Sequence, residues 1–186
     1  MDMKRKLMIM DKIKADNERY IKDWKESRVK EITGDLLFCG ADCICHQTNY
    51  DGVMGAGLAA AIHDKLLTPA AYEMYQRLCA TRGRDLLGIV QCLPCRKSGK
   101  AGAPSQVLNL FCQDDRPTTD GGFTRYDHLR NCLKTVELYA RTHDKTVAIP
   151  GNMGCGIAGG NWLEVRTCIE LVFGKSPVSC TIVWKE

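Results

Sequence analysis

Residues 46–66 read HQTNYDGVMGAGLAAAIHDKL. The strand-like stretch at residues 42–45 runs into four polar residues, His46, Gln47, Thr48 and Asn49. Gly52, Gly55 and Gly57 come next, and apolar residues at helical spacing continue to Leu66. The pattern predicts a buried strand, a glycine loop and a helix over residues 57–66. Glycine lets a backbone take positive φ and approach a ligand closely. The start of a helix adds unpaired N–H donors and a partial positive charge.

The same grammar recurs at residues 145–173. KTVAIP predicts a short buried strand, GNMGCGIAGGNW a second glycine loop, and residues 161–173 a helix. In α/β sheets ligands sit outside the carboxyl ends of the strands. Two such loops side by side predict a grip on a phosphate or diphosphate from both sides. Neither loop ends in the Gly-Lys-Ser/Thr of a P-loop, and no clean GxGxxG is followed by an acidic residue after a second strand. A different diphosphate ligand is therefore expected.

Outward from these loops, strands and helices alternate. RVKEIT (28–33) predicts a strand, residues 69–82 a helix, and LLGIVQCLP (86–94) and SQVLNLFCQ (105–113) two further strands. DDRPTTDGGF (114–123) is turn-rich. Thr124 has the form of a capping-box N-cap for a helix carrying Tyr126, Leu129, Leu133, Val136, Leu138 and Ala140. SCTIVWKE (179–186) closes the chain as a strand. The fold class expected is a three-layer α/β/α sandwich around a mixed, largely parallel sheet, over residues 28–186. Residues 1–27 form a separate helical extension in this reading, with Leu7, Met10, Ile13 and Trp24 among its apolar positions. It is expected to pack on the body or on another subunit.

The chain has 186 residues and a formal net charge of +4. Residues 1–30 hold 10 Lys/Arg against 6 Asp/Glu, and the remainder holds 16 of each. A neutral body argues against a broad nucleic-acid face, which needs clustered positive charge. No stretch reaches the roughly 20 apolar residues of a membrane span, so neither a membrane nor a secretory route is expected, and the location is read as cytoplasmic. Eleven cysteines, an odd count, then point to reduced thiols rather than a disulfide frame. Cys92-Leu-Pro-Cys95 has zinc or redox spacing, with Cys39, Cys43 and Cys45 as further ligands. The second pair is irregular, so buried thiols are preferred and no metal is expected.

Four blocks in order, GDLL (34–37), DCICHQTNYDGVMGAGLAAAI (42–62), VAIPGNMGCGIAGGNW (147–162) and TIVW (181–184), resemble the macrodomains, the ADP-ribose-binding fold. Within them DLLGIVQCLP, the CHQTN histidine, and NLFCQ followed by TRYDHL are most similar to the branch of ADP-ribose 1''-phosphate phosphatases and its bacterial and phage relatives. The resemblance implies that Asp35 and Leu36 meet adenine and that Trp184 flanks it. Asn49 would hold the distal ribose. Val53, Met54, Gly55, Ala56, Gly57 and Leu58 would form the first diphosphate loop. Pro150, Asn152, Gly154, Cys155, Gly156, Ile157, Ala158 and Gly159 would form the second. The implied ligand is ADP-ribose or a derivative, free or carried on a protein, with no cofactor.

The unperturbed histidine side chain titrates near neutrality, which makes His46 a candidate for acid–base work on a phosphate monoester. The implied reaction is hydrolysis of the 1''-phosphate by an oriented water. His46 would be the acid or base, Asn49 would place the ribose, and Asp51 and Gln113 are candidates to orient the water or phosphate. A related branch that removes ADP-ribose from macromolecules uses a lysine and, in some members, an aspartate where this chain has Gln113 and Ala158. Neither residue can do that chemistry. Two readings stay open: a hydrolase of ADP-ribose derivatives, and a module that binds ADP-ribose without turnover.

Overall fold

The computed structural model describes residues 27–119 and 121–186. The helical extension expected over residues 1–27 lies outside them except for Ser27. Six strands form one sheet: β1 (Lys30–Thr33), β2 (Cys43–Thr48), β3 (Val90–Pro94), β4 (Gln106–Phe111), β5 (Val147–Pro150) and β6 (Cys180–Trp184). Their order across the sheet is β1-β6-β5-β2-β4-β3. All pairings are parallel except β3 with β4. Four helices complete the described fold: α1 (Gly57–Leu66), α2 (Pro69–Arg82), α3 (Tyr126–Thr142) and α4 (Trp162–Phe173).

Alternation along the strands divides the core in two. Cys43 and Cys45 of β2 and Ile182 of β6 pack with Leu133 and Val136 of α3 and Ile169 and Phe173 of α4. Ile44, Val107, Phe111 and Val183 face the other way, against Ile62 and Leu66 of α1, Tyr75 and Cys79 of α2, and Leu36 and Leu37. Strands buried on both faces read as continuous apolar runs because helices cover both sides of the sheet. The expected sandwich is therefore the observed one.

Three expectations change at the element scale. β2 does not stop at Cys45; it runs through His46, Gln47 and Thr48, which pair in register with Asn109, Leu110 and Phe111 of β4. β1 begins at Lys30 rather than Arg28 and is exposed along its length, since it lies at the sheet edge and pairs only with β6. Thr124 is not the α3 cap. The N-cap is Arg125, without a side-chain cap bond, because the Thr124 hydroxyl is spent on the Gly154 carbonyl at 2.9 Å. Two short 3-10 turns, Leu36–Phe38 and Gly83–Leu86, carried no sequence expectation. Leu138, placed on the apolar face of α3 by spacing, is 54% exposed.

Candidate functional site

Strands β2 and β5 are parallel neighbours. Their carboxyl ends therefore release the two glycine loops, residues 49–56 and 151–160, at the same end of the sheet. Gly52 in the first loop, Gly57 at the start of α1, and Gly154 and Gly159 in the second loop have positive φ. Asn152 does too, at φ 57, a conformation asparagine tolerates better than most residues. At Gly154 the positive φ favours glycine, and a Cβ there would displace the Gln47 amide that bonds Thr124.

Backbone donors collect in these loops. Val53, Met54, Gly55 and Ala56 donate no backbone hydrogen bond among the described residues, nor do Gly156, Ile157 and Ala158. α1 starts from Ala56 in extended geometry with no side-chain cap and no acidic residue in its first turn. Its first amides and its positive dipole end are thus left for an anion. α4 differs from expectation in detail. Asn161 accepts from Leu163 N at 2.9 Å, so its N-terminus is already capped and the second loop contributes through its own amides. Val53 and Ile157 stand exposed at the loop tips, at 60% and 85%.

A third segment locks the second loop. Gln47 Nε2 donates to Thr124 Oγ1 at 3.0 Å, and Thr124 Oγ1 donates to Gly154 O. Phe123 N donates to Ala158 O at 2.8 Å. Gln113 bridges Thr124, and its amide donates to Thr48 O at 3.3 Å. The link between Gln47, Thr124 and the second loop had no signal in the sequence beyond polarity.

Asn49 leaves the end of β2 half-buried. Its Oδ1 accepts from Asp51 N at 3.2 Å and from the Tyr75 hydroxyl at 3.4 Å. Asp51 is exposed beside it. Asp35 caps the first 3-10 turn, accepting from Leu37 N at 3.0 Å, while Leu36 and Met54 share the core cluster on the α1 and α2 side. Trp184 packs on the opposite face. Its ring meets Trp162 edge-on at 5.1 Å, its Nε1 donates to Glu31 at 2.7 Å, and it closes on Gly151. The structure thus brings Asp35 and Leu36 to one face of the sheet and Trp184 to the other.

His46 is placed differently from a solvent-accessible acid. It is 2% exposed, and its Nε2 lies 2.6 Å from Asn109 Oδ1. Asn109 in turn donates to Gln91 at 3.0 Å, a polar ladder across β2, β4 and β3. Burial pulls the imidazole down to about 4, with the Asn109 and Gln47 hydrogen bonds opposing, so the ring is neutral at pH 7.

The sequence reading passed over Asp114. Its side chain is fully buried and meets Arg84 at 2.8 Å and Arg125 at 2.9 Å. It also accepts from the Tyr50 hydroxyl at 2.8 Å. Arg84 foremost holds its carboxyl well below the usual range, against the cost of burial. All eleven cysteines are free thiols, seven of them buried, and no cluster of three His, Cys, Asp or Glu fit for a metal occurs among the described residues. Burial pushes Cys95 up to about 12. No helix among the described residues is long and apolar enough to cross a membrane. An open groove of about 560 Å³ beside α1 and α2, lined by His63, Tyr72, Gln76 and Arg96 among others, includes none of the residues assigned to the loops.

No protein-family model and no curated protein sequence matches this chain. Solved structures do. A protein of unknown function from Bacteroides thetaiotaomicron is 28% identical with a TM-score of 0.68, covering 84% of this chain and 97% of its own. The macrodomain of Mycobacterium tuberculosis DarG has a TM-score of 0.68 at 21% identity, covering 84% and 96%. The chain has the macrodomain fold. A further macrodomain-fold neighbour, Thermosipho africanus DarTG in complex with ADP-ribose, has a TM-score of 0.64 at 18% identity, covering 83% of this chain and 41% of that one.

Proposed function

We propose that this macrodomain-fold protein binds ADP-ribose, free or attached to a modified macromolecule, between its two glycine loops. The observation that carries this reading is the pair of runs of unpartnered amides in the loops that follow adjacent strands, residues 53–56 and 156–158, beside the uncapped start of α1. A diphosphate brings spread-out negative charge and many acceptor oxygens, and such amides meet it without a cationic side chain. In this reading Asn49 at the end of β2 takes the distal ribose, and Asp35 with Leu36 takes adenine. The neighbour solved with ADP-ribose supports the choice of ligand.

The hydrolytic form of the reading is removal of phosphate from ADP-ribose 1''-phosphate. With His46 neutral and enclosed by β4, any water would be oriented by Asp51 or Gln113 at the mouth of the loops. The geometry therefore favours binding over acid–base catalysis by His46. Calorimetric titration with ADP-ribose beside AMP, ADP and NAD tests the binding reading; affinity for ADP-ribose no better than for AMP would defeat it. Phosphate release from ADP-ribose 1''-phosphate, measured on the wild type and on Asp51→Ala, tests the hydrolytic form. Release at the rate of a protein-free blank would leave the binding module.

A further inference from the structure

One buried carboxylate joins segments that are far apart in sequence. Asp114 Oδ1 accepts from the Tyr50 hydroxyl at 2.8 Å, from Asp115 N at 2.9 Å, from Arg84 Nε at 3.3 Å and from Arg116 N at 3.4 Å. Oδ2 accepts from Arg84 at 2.8 Å and from Arg125 at 2.9 and 3.1 Å. The first glycine loop, the turn after α2, the loop after β4 and the start of α3 therefore meet on a single side chain. Both oxygens are saturated, so the carboxylate cannot shift without breaking several charge-assisted bonds together.

Tyr50 is the member that reaches the candidate site. It follows Asn49 directly, and its hydroxyl also bonds Asp115 Oδ1 at 2.5 Å. On the other side of the same peptide, the Tyr75 hydroxyl donates to Asn49 O at 3.3 Å and Asn49 Oδ1 at 3.4 Å. Asn49 is thus held between a phenol from α2 and, through Tyr50, the Asp114 cluster. Its Nδ2 makes no hydrogen bond among the described residues. The cluster pairs Arg84 and Arg125 with Asp114, while Arg116 lies 4.0 Å from Asp115.

We propose that Asp114 is a positioning residue of the loop site: acting through Tyr50, it fixes the Asn49 amide and so sets the preference for a diphosphate that carries a second sugar over one that ends at the phosphate. This rests on the reading of the loops as an ADP-ribose site. The Asp114 carboxylate touches no ligand in this role. It lowers the ordering cost that a mobile Asn49 would add to binding the distal sugar. ADP, which lacks that sugar, gains nothing from the order of Asn49.

The test is calorimetry with ADP-ribose and with ADP on the wild type, Tyr50→Phe and Asp114→Asn, with melting curves for each. Tyr50→Phe removes one hydroxyl and keeps the ring, so the fold should melt near the wild-type temperature. Affinity for ADP-ribose should fall about tenfold while that for ADP stays within about twofold. Asp114→Asn should narrow the ADP-ribose to ADP ratio in the same direction, and the double variant should narrow it no further than the more damaging single change. Where Asp114→Asn fails to fold, Tyr50→Phe alone decides. An unchanged ratio in Tyr50→Phe overturns the inference, as does an equal loss for both nucleotides. A wild type that binds neither nucleotide overturns the functional reading, and this inference with it.

Discussion

His46 shows how one residue's role depends on where a strand ends. The stretch CHQTN invites a reading of an exposed polar terminus, yet β2 pairs with β4 as far as Thr48. That extension places His46 opposite Asn109 and removes it from water. A ring whose folded value lies near 4 and whose unfolded value lies near 6.5 takes up its proton first in the unfolded chain. The stability it contributes is complete above pH 6.5 and is lost as the pH falls toward 4, because protonation then favours unfolding. The expected loss between pH 7.5 and 5 is about 2 kcal/mol. Urea titrations at several pH values should show that slope in the wild type, and His46→Leu should flatten it. A slope unchanged by the substitution would mean the imidazole is not the group that titrates. Asp114 and Thr124 teach the same lesson from the opposite side. DDRPTTDGGFT looks like a solvated turn, but its first aspartate is the most enclosed carboxylate in the described chain and its last threonine holds a loop. Nothing in the local pattern marks them, because their partners are up to 77 residues away.

At the scale of elements, α1 and α4 look alike in sequence and differ in their first turns. Asn161 caps α4, whereas Ala56 leaves α1 open. An uncapped helix start costs stability, and here the cost coincides with the place where an anion would be held. Ala56 already has the extended backbone of an N-cap, at φ −146 and ψ 158. Ala56→Asp should therefore stabilise the protein by about 0.5–1 kcal/mol through the cap and the helix dipole. The same carboxylate should weaken ADP-ribose binding at least about tenfold by repelling the diphosphate. Opposite signs in a melting curve and a titration would tie the open helix start to function. A stabilised variant with undiminished affinity would place the diphosphate elsewhere. The helices α1 and α2 were legible to the residue, since Gly57 and Pro69 punctuate them and their apolar spacing is regular. β1 was not, because an edge strand need not alternate.

Across the whole molecule, the parallel order of β5 and β2 brings two separate loops to the same end of the sheet. Gly156 sits on the outer loop with open space where a Cβ would lie and without a positive φ. Gly156→Glu should consequently fold as the wild type does, with a melting temperature unchanged without ligand. At a ligand concentration one hundred times Kd, ADP-ribose should stabilise the wild type by about 2.7 kcal/mol, a rise of roughly 5–10 °C. The Gly156→Glu protein should show almost none of that rise, since its carboxylate would occupy the amide cradle. Equal shifts in both proteins would remove the second loop from the site.

Periodicity, glycine placement and the apolar runs suffice to specify the layers, the helices and the two loops, because each depends on neighbours within a turn or a strand. The charge balance likewise steers the reading away from a nucleic-acid surface without any coordinates. Strand register, the burial of His46 and the Asp114 cluster depend on contacts between segments distant along the chain. Their free energies come from desolvation and pairing, which exist only once those segments have packed together.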